Sequence, residues 1–527
     1  MQTRQARSAR HMVLATTLCL VSALAITGLA YLLRPGPVPG PASAPPKRLT
    51  SLKLPEGLFR GWKKPDLAIL TSGQQYGYLL PCGCSRPQYG GLERRHNLLQ
   101  VLRSEGWPVT AVDVGDVPQD RGIRDMPNVQ GLIKYRVAME SMKDMGYLAV
   151  SLGEREAALN LFTVLAEFAL NNPTPRVLAG NVKDRDSLFP EQLYAWKVSP
   201  VPDSSLRVGV FAVISPTVQK KIKDEKIKFE DNRLAIPRIL REMEAEKPDF
   251  RVLLYQGQAN EARTLAGDHK SLNLIVCLSD TDEPSAEPIK VGDTLIVSSG
   301  HKGRHVGVVG AWKTGHRDRP FELKYQLVSL GEEFMTPDDE RKDHPILRRM
   351  EDYTRELQKQ NYLAKVSPVK HPMQLRFNNA TPIFVGSDAC KKCHSDAYDV
   401  WKESKHAHAY ETLVKVKHPG LRQHDPECIV CHTVGFGYES GFRSERETPK
   451  LKDVGCESCH GPGSEHVKNP KDTRWYAEMN PWRAKENETE QEKARRILKM
   501  DQFCQTCHDV DNDVKWKFDL RWPPIKH

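Results

Sequence analysis

The chain is predicted to be multidomain: an N-terminal transmembrane helix, a layered α/β domain, then a C-terminal domain that is mainly α-helical or irregular. Three observations predict it. An uncharged, mostly apolar run of 22 residues, Met12 to Leu33, is long enough to cross a bilayer core. Between residues 66 and 330, short apolar segments alternate with amphipathic intervals, the pattern of strands and helices stacked in layers. Beyond residue 389, eight of the 12 cysteines fall into four Cys-x-x-Cys-His motifs. A length of 527 residues allows three or four domains. With 39% hydrophobic and 27% charged residues the composition is that of a folded chain. The mean hydropathy of -0.54 excludes a polytopic membrane protein.

At the N-terminus, Arg4, Arg7 and Arg10 precede the apolar run and no charge lies within it. That asymmetry predicts a cytoplasmic tail (1–11), an anchor (12–33) and export of the remainder. Cleavage of a signal peptide after Ala25 or Ala30 is the alternative, and the length of the run favours retention. The expected location is therefore the cytoplasmic membrane, single-pass, with the bulk in the periplasm or extracytoplasmic space. Residues 34–65 form a proline-rich linker; six prolines between Pro35 and Pro46 make its start a stiff tether. The net charge of +10 does not mark a nucleic-acid site. Residues 381–527 hold 24 Lys+Arg and 24 Asp+Glu, so the excess lies upstream and is dispersed.

The α/β domain (66–335) is read from strands at Leu67–Leu70, Val109–Val114, Leu148–Leu152, Arg176–Leu178, Arg207–Ile214, Arg251–Tyr255, Leu272–Leu278 and Thr294–Ser298. Leu98–Gly106 and Pro237–Ala245 have helical spacing, with Pro237 expected in a first turn, where its missing N–H costs nothing. Gly90-Gly91-Leu92, Asp113-Val-Gly-Asp116, Leu148 to Gly153, Leu178-Ala-Gly-Asn181 and Thr294 to Gly300 together resemble the calcineurin-like metallophosphoesterase domain of 5′-nucleotidases. The resemblance fails at the metal positions. Gln74 and Tyr76 stand where that family has Asp and His, Glu154-Arg155 replaces Asn-His, and the later histidines fall near Gln256 and on Ser279 and Thr281. Of the main ligands only Asp116 is kept, and one carboxylate does not hold two ions and activate water. The resemblance thus implies the fold without the hydrolase. Cys82, Cys84 and Cys277 would approach the old metal site, either as a soft-metal or redox site, or as a disulfide to Cys277 or free thiols.

In the connector (336–382), Ile346, Leu347, Met350, Tyr353 and Leu357 have helical spacing between charged residues. It resembles the linker helix that follows the catalytic domain of 5′-nucleotidases.

The C-terminal domain (383–527) holds Cys390/Cys393/His394, Cys428/Cys431/His432, Cys456/Cys459/His460 and Cys504/Cys507/His508. Two thiols on one turn reach the two vinyl groups of a haem, and the adjacent histidine comes under the iron. Zinc sites do not explain a histidine after every pair. Four covalent haem c groups are expected, with His394, His432, His460 and His508 as proximal ligands. Covalent haem attachment outside the cytoplasm agrees with the anchor. His406, His408, His418, His424, His466 and His527 remain as candidates for the opposite faces.

Val385 to Cys390, Trp401 to Ala409, Cys428 to Phe436 and Val454 to Gly463 resemble the tetrahaem cytochrome c-554 family. That resemblance implies His406 as distal ligand of the third haem, His466 of the first and His527 of the fourth. It leaves the second haem, on Cys428, Cys431 and His432, with an open face. The expected function is a membrane-anchored tetrahaem cytochrome relaying electrons between redox partner proteins, not an enzyme and not a nucleic-acid binder. The alternative is a multihaem oxidoreductase acting on a small nitrogen or sulfur compound at the second haem.

Overall fold

Both faces of the central strands are apolar, so each face must be covered by helices or by another sheet. The computed structural model describes residues 51–81, 85–183, 192–377 and 380–527. Among these, in chain order, are β1 (Leu67–Ser72), β2 (Val109–Asp113), β3 (Tyr147–Ser151), β4 (Arg176–Leu178), β5 (Val182–Lys183), β6 (Trp196–Pro200) and β7 (Arg207–Ile214). They continue with β8 (Lys228–Phe229), β9 (Phe250–Gln256), β10 (Leu274–Cys277), β11 (Ile289–Val291), β12 (Thr294–Val297), β13 (His305–Lys313) and β14 (Phe321–Ser329). All eight segments read as strands form strands. β13 and β14 were not among them.

One sheet has the order β14-β13-β1-β2-β3-β4, the other β11-β12-β10-β9-β7-β6, and β5 pairs with β8. β1 to β4 run parallel, as do β7, β9, β10 and β12. The period of two along β7 divides its side chains. Val208, Val210, Ala212 and Ile214 share a core with the first sheet. Phe211 and Val213 face the helices Asn232–Glu244 and Ala259–Asp268, with Ile236, Ile239 and Ala262. The result is two sheets face to face with helices outside.

The helix expected from Pro237 starts earlier, at Asn232, because Asp231 caps it by accepting from the Arg233 N–H. Pro237 therefore lies inside the helix and not in its first turn. The helix expected from Leu98 begins at Leu92. The connector forms the helix Pro345–Lys359, with Ile346, Leu347, Met350, Tyr353 and Leu357 buried as expected. Arg349 ties it to the helix Gly131–Met145 through Asp144 and Glu140.

Beyond residue 380 the chain forms short helices around a small core of Phe384, Tyr410, Ile429, Val434, Phe442 and others. Ile123, Met126 and Val129, from the segment after β2, pack on that core. The α/β and C-terminal parts belong to one compact unit.

The expectation of a single-pass membrane protein is corrected. Among the described residues no helix is long and apolar enough to cross a membrane. The segment 12–33 on which that expectation rested, with the tail 1–11 and most of the linker 34–65, lies outside the described residues.

Candidate haem-binding site

Each Cys-x-x-Cys-His motif closes one helical turn. His394 N–H donates to the Cys390 carbonyl at 2.9 Å, and His508 N–H to the Cys504 carbonyl at 3.0 Å. The second motif ends the helix Pro426–His432, which Asp425 caps through the Glu427 N–H. The third forms Cys456–His460, stopped by Gly461 at φ 80. The fourth closes the helix Glu490–Cys504, begun by a Thr489/Glu492 capping box. The thiols of Cys390 and Cys456 lie beside each other, as do those of Cys431 and Cys507. The first motif therefore adjoins the third, and the second adjoins the fourth.

Ring tautomers follow from the hydrogen bonds. His432 Nδ1 lies 2.7 Å from the Ala409 carbonyl and His460 Nδ1 lies 2.6 Å from the Met479 carbonyl. A carbonyl only accepts, so Nδ1 carries the proton and Nε2 is left for a metal. His508 Nδ1 instead meets the Asp513 carboxylate at 3.1 Å, and its ring stacks on Trp516 at 4.5 Å. Burial pushes the His432, His460 and His466 imidazoles down, and His406 down to about 4, keeping them in the neutral, ligating form.

Three pairs of imidazoles face one another. His394 and His466 have ring centroids 6.1 Å apart, His406 and His508 6.1 Å, and His460 and His527 5.9 Å. Two metal–nitrogen bonds of about 2 Å, with the half-depth of a ring on either side, also add to about 6 Å. The residues present therefore fit haem c: two thiols on a turn, a histidine with a free Nε2, and a second imidazole one iron away.

This pairing keeps His466 with the first motif and changes the other two expectations. His406 faces the fourth motif's His508, not the third motif's His460. His527 faces His460, not His508. The cause is a reversal of the chain after the fourth motif. Asp511 is held by Lys302 and Arg304, and Ser85 Oγ accepts from the Val514 N–H at 2.9 Å. The tail turns back there and packs near the helix Ser395–Glu403, bringing His527 to the third motif. Among the described residues no imidazole faces His432 in this way. His424 meets Gln358 at 3.1 Å, His418 meets Glu351 at 3.3 Å, and His408 is exposed.

In the α/β part, the residues that the sequence resemblance aligns with metal ligands come together. Gln74 Nε2 donates to Tyr76 Oη at 2.8 Å, and Gln74 Oε1 accepts from the Ser279 N–H at 2.7 Å. The Arg155 guanidinium lies 3.5 Å over the Tyr76 ring, and its backbone N–H donates to Asp116 Oδ1 at 3.0 Å. Burial pushes the Asp116 carboxyl up to about 6. Gln256 Nε2 donates to the Val114 carbonyl, and the Thr281 hydroxyl to the Glu283 carbonyl at 2.7 Å. Glu154 pairs with Lys221 at 3.3 Å. Among the described residues no group of three or more His, Cys, Asp or Glu is placed to hold a metal ion. Cys277 is buried and pairs with no cysteine among the described residues; Cys82 and Cys84 lie outside them.

Reading the sequence missed Asp513, Trp516, Arg124, Gln130 and Lys134. Asp513, five residues past His508, was the only one with a local signal.

Residues 389–461 match the family described as cytochrome c554 and c-prime. The chain is similar to cytochrome c-554 of Nitrosomonas europaea, 40% identical over 91 residues, covering 15% of this chain and 39% of that protein. It thus spans well under half the length of that relative. The C-terminal part carries a cytochrome c554 family domain, whose homology points to a multihaem c-type cytochrome with covalently bound haem c. Among solved structures, the chain is similar to a 5′-nucleotidase precursor from Thermus thermophilus. The TM-score is 0.44 at 18% identity, over 56% of this chain and 59% of that one. It is also similar to the sulfate thiohydrolase SoxB of the same organism, with TM-score 0.45, 14% identity, and 56% and 62% coverage. For the NAD nucleotidase of Haemophilus influenzae the values are 0.44, 15%, 61% and 64%.

Proposed function

We propose that the chain is a tetrahaem c-type cytochrome that passes electrons between redox partner proteins. The observation that carries this reading is the set of three facing imidazole pairs, at 5.9 to 6.1 Å, each containing the histidine of one Cys-x-x-Cys-His turn. Haem c, when bound, supplies reversible one-electron exchange at iron. The eight cysteines Cys390, Cys393, Cys428, Cys431, Cys456, Cys459, Cys504 and Cys507 would hold the four groups. His394, His432, His460 and His508 would be the proximal ligands, and His466, His406 and His527 the distal ligands of the first, fourth and third sites. The Ala409 and Met479 carbonyls keep the proton on Nδ1, which orients His432 and His460.

One observation favours a second reading. His432 faces no imidazole among the described residues, so the second site would offer an open position. That position suits a small nitrogen or sulfur compound, and the protein would then be an oxidoreductase as well as a carrier.

Pyridine haemochrome analysis of the purified chain tests the first reading. Four covalent haems per chain, reversibly reduced by dithionite, are expected. Zinc in place of haem, or haem released by acid–acetone, would refute it.

A further inference from the structure

Elements of the α/β part reach into the second and fourth motifs. The segment between β2 and the helix Gly131–Met145, together with the start of that helix, is fixed there by three contacts. Ile123, Met126 and Val129 pack on the C-terminal core. Gln130 Nε2 donates to Asp425 Oδ1 at 2.9 Å, beside the cap of the second motif's helix. Lys134 pairs with Glu427 at 2.7 Å. Among these contacts Arg124 takes up the left-handed region, φ 52, a strained conformation for a residue with a side chain.

The Arg124 guanidinium then bridges two motifs. Its Nη1 donates to the Val430 carbonyl, inside the second motif, at 3.1 Å, and approaches Cys507 Sγ, in the fourth, at 3.5 Å. Both partners are formally neutral, so the positive charge is not cancelled by them. The Cys507 thiol in turn meets Cys431. The cation stands where the second and fourth attachment sites touch.

We propose that Arg124 is a positioning residue of the redox site: a fixed positive charge, supplied by the α/β part, that holds the second and fourth haems at higher potential than the first. The proposal rests on the tetrahaem reading. A ferric site carries one more positive charge than a ferrous site, so a nearby cation disfavours the oxidised form. One electron from a donor protein or a neighbouring haem would come to rest on the second–fourth pair, which contains the site where, among the described residues, no imidazole faces His432. On this account the α/β part acts in electron transfer by its charge.

The test uses the full-length haem-loaded chain, with spectroelectrochemical titration and haem signals assigned by electron paramagnetic resonance. Arg124→Gln should keep four haems and the same spin states, lower the potentials of the second and fourth, and leave the first unchanged. Arg124→Lys should restore them towards wild type. In the wild type, added salt should narrow the gap between this pair and the first haem, because Arg124 is an exposed residue. This last arm stands even if Arg124→Gln binds haem poorly. Unchanged potentials in a fully loaded Arg124→Gln, an equal fall at all four haems, Arg124→Lys as low as Arg124→Gln, or a salt-independent gap would each overturn the proposal. A wild type without haem would overturn the tetrahaem reading beneath it, an outcome distinct from the others.

Discussion

Replacing Lys134 by Gln should loosen the contact between the α/β and C-terminal parts. The Lys134 and Glu427 side chains are 10% and 17% exposed, and the ammonium also donates to Gln119 Oε1 at 2.7 Å. Removing one member of a fully buried pair costs about 3–5 kcal/mol, because the other charge is left without compensation. Partial solvent access reduces this to roughly 2–3 kcal/mol. The buried Asp425 lies close by, and burial, then Glu427, raise its carboxyl above the ordinary 3.8 while Lys134 lowers it. A carboxyl raised in the folded state binds more protons folded than unfolded, so it erodes stability as pH rises from the unfolded value through the folded one. Loss of Lys134 raises Asp425 further. The deficit of Lys134→Gln should therefore be full well above the raised Asp425 value and shrink as pH falls through it. Urea unfolding of haem-loaded wild type and variant, followed by tryptophan fluorescence above and below that value, measures this. A deficit below about 0.5 kcal/mol at the higher pH, or one that grows on acidification, would refute the reasoning.

Other outcomes follow from the same geometry. His406→Ala should turn the fourth haem high-spin and leave the third unchanged, whereas His527→Ala should do the converse; resonance Raman spin-state bands distinguish them. Asp513→Asn should raise the potential of the fourth haem, because a carboxylate on His508 Nδ1 makes the imidazole more basic and favours ferric iron. Nucleotides and phosphate esters with Mn²⁺ or Zn²⁺ should show no hydrolysis above that of Asp116→Ala, since among the described residues no group of three or more His, Cys, Asp or Glu is placed to hold a metal ion and Arg155 covers Tyr76.

What the sequence made legible was local. Four motifs with fixed spacing declare their chemistry within five residues, and strands such as β7 announce themselves by unbroken apolar runs. The β13–β14 hairpin escaped because Gly307 and Gly310 interrupt its pattern. Gly310 is needed there: a Cβ would come within 2.6 Å of the Trp62 and Trp312 rings. Pro237 misled because a strong cap at Asp231 starts the helix five residues sooner. Facing imidazoles were harder still. His406 and His466 stand out by local resemblance, but which imidazoles His406 and His527 face depends on the tail turning back at Asp511. That turn is set by Lys302 and Arg304, more than 200 positions away. Arg124 lies 306 positions from Val430 and 383 from Cys507, beyond the reach of any spacing rule.

The central claim is that, with haem c bound, three irons would lie between paired imidazoles and one would not. Electron paramagnetic resonance of the oxidised chain, before and after nitric oxide on the reduced form, tests it most directly. Three low-spin ferric signals and one high-spin signal are predicted, with a single nitrosyl adduct, assigned to the second site by its loss in Cys428→Ala/Cys431→Ala. Four low-spin signals with no nitrosyl adduct, or more than one high-spin haem, would contradict the pairing of His394 with His466, His406 with His508 and His460 with His527.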